Sequence, residues 1–243
     1  MQKLFNLVKW DIKFQSNNGL YIAGSVLTLV WIFVIILFPP ESMSYVIPII
    51  VLSDVGTMGM LFIAAIVFFE KGQGSIKALI VTPVKPKTYI QAKVISLLCF
   101  VLLATFFVII APTMIKGVSI SLFFYPIAVI LIATPYILLG FILSAYFKSF
   151  TDFIFPMGLV FMILNLPLLY LFEIKSLEPF RWLIYILPSH GMVILLKGMF
   201  EPQKALDLIY AVLYNMIVIR WLYLKSIKIF NQKVIGRQGD LID

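Results

Sequence analysis

Two carboxylates stand in this chain where a lipid-embedded helix has little use for one. Asp54 lies about ten residues into the apolar run 46–69, roughly 15 Å along a helix at about 1.5 Å per residue. Ionised there it costs at least about 2.5 kcal/mol, so it faces a cavity or a partner and marks a pathway, or it ties helices together. Asn165, in a later apolar run, is the partner the sequence offers. Glu70 closes the same run as Asp54, at the helix end whose partial negative charge disfavours an acid. It calls for a basic partner from the N-terminal arm or another subunit; the alternative is a solvated Glu beside Lys71. Other chemistry is thinly represented. His190 is the only histidine and Cys99 the only cysteine, so neither a metal cluster nor an intrachain disulfide can be assembled. His190 reads as a structural loop residue and Cys99 as a buried small hydrophobe. No G-x-x-x-x-G-K-[ST] loop occurs, and Gly72-Gln73-Gly74-Ser75 is no substitute. With no nucleophile–base pairing either, no catalytic residue, metal or cofactor is assigned, and the chain does not hydrolyse ATP by itself.

The elements that position these residues are set by composition. Of 243 residues, 62% are hydrophobic and 12% charged, against about half and about a quarter in soluble domains. Runs near 20–38, 46–69, 92–111, 122–146, 153–172 and 205–224 each approach the roughly 20 residues a spanning helix needs. They are continuous rather than alternating, which predicts helices and not a barrel. The first run ends in Phe38-Pro39-Pro40 with no small-residue cleavage site, so it reads as a retained anchor. The expectation is an all-α integral membrane protein, one domain over 1–243 with six spans. No internal repeat relates its two halves, which argues against inverted-repeat carriers.

With an inside N-terminus, 14 of the 19 basic residues fall in inner segments. The positive-inside rule then places both termini in the cytoplasm of a multi-pass plasma-membrane protein. The basic charge answers to anionic lipid and topology, not to nucleic acid. Residues 2–18 predict an interfacial helix, with Gln2, Lys3, Asn6, Lys9 and Lys13 on one arc, Trp10 at its edge, and Leu4, Phe5, Leu7, Val8 and Ile12 opposite. The outer stretch 173–204 carries two apolar pieces, 179–187 and 191–200, separated by Pro188, Ser189, His190 and Gly191. Both are too short to cross and predict re-entrant or interfacial helices. The inner loop 70–91 holds a Gly72/Gly74 hinge and a two-turn amphipathic helix at 75–81 with Ile76, Leu79 and Ile80 on one face. Pro83 stops that helix, Pro86 stiffens the link, and Thr88 and Gln91 have capping-box spacing for the third span. Gly56 and Gly59 suit close helix contact.

Those features resemble the membrane subunit of a type-2 ABC exporter. The pattern E-K-x-x-G-[ST]-x-x-[AG]-L-x-x-[TS]-P-[VL]-x-x-x-x-[YF]-x-x-x-K is met by Glu70, Lys71, Gly74, Ser75, Ala78, Leu79, Thr82, Pro83, Val84, Tyr89 and Lys93. More narrowly, Trp10-Asp11, Asn18-Gly19-Leu20-Tyr21, Leu52-Ser53-Asp54, Leu187-Pro188 and Leu195-Leu196-Lys197-Gly198-Met199-Phe200 resemble the fluoroquinolone-export permeases. The resemblance implies a cytoplasmic coupling helix between spans two and three that docks on a separate ABC ATPase subunit. It assigns Glu70, Gly74, Ser75, Leu79, Thr82, Pro83 and Lys85 to that coupling, with ATP and Mg held by the partner. It also implies a second permease subunit, identical or related, and leaves Asp54 and Asn165 to a substrate route or to helix packing. The function implied is export of a drug-like, amphiphilic or lipid substrate. Two other classes stay open: an ion-coupled secondary transporter using Asp54, and a non-transporting scaffold or sensor.

Overall fold

The computed structural model describes residues 2–76, 84–123, 125–172 and 181–235. Among these residues nine α-helices run in the order α1 (Gln2–Asn17), α2 (Leu20–Leu37), α3 (Met43–Gly72), α4 (Pro86–Lys116), α5 (Tyr125–Tyr146), α6 (Phe150–Asn165), α7 (Arg181–Ile186), α8 (Pro188–Lys197) and α9 (Ala205–Ile229). Short 3-10 segments cover Pro40–Ser42 and Leu166–Phe172, a π-helical turn covers Phe230–Ile235, and no strand occurs among the described residues. Among the described residues six helical stretches are long and apolar enough to cross a membrane: Leu20–Leu37, Pro40–Gly72, Pro86–Lys116, Tyr125–Tyr146, Phe150–Leu169 and Ala205–Lys233. The expected all-α architecture of six spans is therefore what the chain adopts.

Helix α4 has 31 residues, about 46 Å at 1.5 Å per residue, well beyond a ~30 Å hydrocarbon core. Tyr89 and Lys93 lie in its first turns, toward its N-terminal end. Its start corrects the expected capping box. Lys85 is the N-cap and Pro86 the first helical residue, and no side chain caps the turn. Proline suits that position because its missing N–H has no intrahelical partner there and its φ is already helical. The fifth span is also not one α-helix. It converts to 3-10 geometry at Leu166, where Pro167 removes a donor and crowds the carbonyl four residues back. Residues 188–191, which separate the two apolar pieces in the sequence, form the first turn of α8, with Pro188 at its start. A Cβ on Gly191 would sit 2.8 Å from Asn215 Nδ2 and 3.0 Å from Ala211 Cα, so that glycine sets a close approach of α8 to α9.

The centre of the bundle is the α3–α5 contact, the most extensive helix pair. Gly59 lies against Tyr136 and Ile137, and Gly140 against Ile63 and Met60. Small residues let the backbones close up where lipid offers no hydrophobic drive between helices. Lys71, at the end of α3, donates to the Ser144 and Phe147 carbonyls at 2.6 and 3.2 Å, satisfying the exposed end of α5. Helices α2, α6 and α9 bury far less of their apolar surface than α3 and α5 do. Cys99 is exposed on α4, correcting the expectation of a buried thiol; its neighbours Leu97 and Phe100 take the inward face.

Candidate functional site

Helix α1 presents Asp11 and Gln15 on one face, four residues apart, and both are buried. The arcs read from the sequence left these two polar side chains out. They are inward-facing because α4 offers matching groups: Tyr89, Lys93 and Ser96 follow one another at four- and three-residue spacing along its face. Gln15 Nε2 donates to Ser96 Oγ at 2.9 Å, and Ser96 Oγ donates to the Lys93 carbonyl at 3.0 Å. Lys93 Nζ lies 2.5 Å from Asp11 Oδ1 and 2.5 Å from Glu70 Oε1. The Tyr89 hydroxyl donates to the other Glu70 oxygen. Lys93 also sits 5.0 Å from the Tyr89 ring centroid, and that ring stacks on Phe230 at 5.0 Å.

Glu70 therefore does have a basic partner, but from the third span. The N-terminal arm supplies a second acid in its place. The solvated alternative fails, since only 6% of Glu70 is exposed. One ammonium holds two carboxylates from two other elements, so the cluster is a three-way clasp of α1, α3 and α4. Burial pushes the Asp11 carboxyl above its ordinary value of 3.8; the Lys93 ammonium opposes this and the Glu70 charge adds to it. The native state thus binds this proton more tightly than the unfolded chain does. Stability from Asp11 is fully present below about pH 3.8 and is lost as pH rises through the raised native value. We expect the melting-temperature advantage of wild type over Asp11→Asn to shrink as pH climbs across that window and then level off. An advantage that grows with pH would contradict the assignment.

The clasp is not sealed. A cleft of about 400 Å³ opens beside it, walled by Trp10, Asp11, Glu70, Ser75, Ile76 and Val84. Ser75–Ile76 and Val84 are the two ends of the loop between α3 and α4. Gly74, in the left-handed region at φ 70°, turns the chain out of α3 at that point, a conformation that costs a side-chain-bearing residue more. Leu79, Thr82 and Pro83 lie outside the described residues. Lys85 is described as the N-cap of α4.

Asp54 is fully buried in α3, and the Trp31 indole N–H donates to its Oδ1 at 2.9 Å. The partner is thus in the first span and not Asn165, whose amide donates to the Phe161 carbonyl at 2.8 Å in its own helix. Asp54 Oδ2 has no hydrogen-bond partner among the described residues. His190 packs 4.4 Å from the Tyr185 ring at the α7–α8 corner. Among the described residues no three His, Cys, Asp or Glu side chains converge as metal ligands.

Six membrane-crossing helices around a glycine-packed α3–α5 core define a multi-pass membrane protein. The family model of the Fluoroquinolones export permease protein family matches residues 2–238. The chain belongs to that family and is a membrane export permease. Its relatives include the Fluoroquinolones export permease proteins MT2761 and Rv2687c, from the CDC 1551 / Oshkosh and ATCC 25618 / H37Rv strains of Mycobacterium tuberculosis. Each is 24% identical over 243 residues, covering 99% of this chain and 100% of the relative.

Proposed function

We propose that this permease is the transmembrane subunit of an ATP-driven ABC exporter in the plasma membrane, with both termini cytoplasmic. It works with a separate ATPase subunit that holds ATP and Mg, and with a second permease subunit, identical or related. The observation that carries this reading is the Asp11–Lys93–Glu70 clasp beside both ends of the loop 75–85. A push on that loop reaches α1, α3 and α4 together, because one buried lysine binds the three elements. Leu79, Thr82 and Pro83 in the loop, with Gly74, Ser75 and Lys85 at its ends, form the docking surface for the ATPase, and Glu70, buried in the clasp, couples that surface to the helices. The sparsely buried faces of α2, α6 and α9 are available to lipid and to the second permease. The relatives carry the name of fluoroquinolone exporters, which supports a drug-like or amphiphilic substrate here.

Reconstitution with a candidate ABC ATPase subunit from the same genome tests the reading. The two chains should co-purify, and ATP hydrolysis in liposomes should rise with substrate. Pro83→Ala and the Lys85→Glu, Lys87→Glu pair should each lower ATP-driven export at least several-fold while leaving the melting temperature of the permease in place. Unchanged export in both variants would remove the docking role. An ion-coupled carrier centred on Asp54 predicts the opposite pattern, gradient-driven transport with no ATPase present. A scaffold predicts intact export by the remaining subunits without this chain.

A further inference from the structure

A cavity of about 650 Å³ opens between α2, the start of α3 and the 3-10 segment, and its wall includes Trp31, Tyr45, Val46, Ile50 and Leu171. Val46, Ile50 and Asp54 follow at four-residue intervals, so Asp54 continues the α3 face that lines the cavity, one turn past Ile50. Helical side chains lean toward the helix N-terminus, which for α3 is the cavity end. Trp31 joins the two features: it forms cavity wall and it donates to Asp54 Oδ1. The second oxygen is buried and takes no hydrogen bond among the described residues, although a carboxylate can accept about four.

We propose that this cavity binds a monocationic aromatic amphiphile, its ring against Trp31 and Tyr45 and its cationic group paired with Asp54 Oδ2. Charge complementarity selects this occupant. The walls are apolar and aromatic, suited to a flat hydrophobic body, and the unsatisfied group beneath them is a carboxyl, which a bound cation would hold in its ionised form. Rotation of the Trp31 indole opens the way to Asp54 and offers its ring face to the incoming cation. A lipid chain would fill the walls equally well and leave Oδ2 as it is. The inference deepens the exporter reading, and rests on it for the view that the occupant is transported.

Binding is measured on the purified permease alone, in phosphatidylcholine nanodiscs, by polarisation of the cationic dye rhodamine 6G and of uncharged Nile red. Rhodamine 6G should bind wild type with a Kd below about 100 μM. Asp54→Asn should weaken it at least about tenfold, the loss of one desolvated charge pair, and shift Nile red by less than about twofold. Ile50→Trp, which fills the cavity, should weaken both dyes. On wild type, benzyltrimethylammonium should displace rhodamine 6G where its uncharged isostere neopentylbenzene does not; this comparison needs no variant to fold. No rhodamine 6G binding, equal displacement by both isosteres, or an Asp54→Asn variant that binds like wild type would overturn the site. Selective binding without ATP-driven dye export by the reconstituted complex would sink the exporter reading and leave the site standing. Export unaffected by Asp54→Asn would do the reverse.

Discussion

Lys93→Met is expected to cost about 3–5 kcal/mol of stability, the range for breaking a buried ion pair from one side. The substitution keeps a similar apolar stem and removes the ammonium that lies 2.5 Å from both Asp11 and Glu70. Two carboxylates are then left in a pocket where Lys93 itself is 1% exposed. They relieve their repulsion by taking up protons or by letting α1 swing away from α4. The triple change Asp11→Leu, Glu70→Leu, Lys93→Met should recover most of the loss, since apolar replacement of a whole buried ionic set is often neutral or stabilising. Unfolding in mixed detergent micelles, followed by tryptophan fluorescence, separates these outcomes. A single variant within about 1 kcal/mol of wild type would show that the clasp carries no structural weight. The triple variant also separates fold from coupling: a stable bundle whose export no longer follows ATP hydrolysis would mark the clasp as a transmission element.

Gly140→Ala is the second large effect, expected to destabilise by about 1–3 kcal/mol through overpacking. A Cβ there would stand 2.6 Å from Ile63 Cγ2 and 2.7 Å from both Met60 Cα and the Met60 carbonyl oxygen. Two of those atoms are backbone, so a rotamer change cannot make room and α3 must move off α5. Gly158, in α6, has nothing within 4 Å of its hypothetical Cβ. Gly158→Ala should therefore be neutral or gain up to about 1 kcal/mol from helix propensity. Thermal unfolding of the two variants side by side checks the contrast, and equal shifts would count against the close α3–α5 approach.

How much of this was legible in the chain differs residue by residue. The spans were, because hydropathy over about 20 residues is a local property that the bilayer enforces. The need of Glu70 for a cation was legible too, from its place at a helix end. Its source was not: Lys93 is 23 residues away and Asp11 a further 59, and periodicity carries no information on which faces meet. Asp11 stands out in the sequence only as part of the Trp10-Asp11 pair, since an acid on an interfacial helix belongs by default with the polar arc. Asp54 was recognised as anomalous, yet the indole that holds it sits in a span that reads as uniformly apolar. Gly56 and Gly59 announced themselves by spacing. Gly140 has only Ser144 as a small neighbour at helical spacing, and the approach of Met60 is what gives it meaning.

The clasp also imposes an order of events during synthesis. Both acids precede the cation they share, Asp11 by 82 residues and Glu70 by 23. While the first two spans are entering the membrane, the N-terminal helix has nothing to close against. Its acid has no cation to pair with until the start of the third span has been made. Closure of the N-terminal helix onto the bundle therefore follows synthesis of the start of the third span, which carries both Lys93 and Ser96.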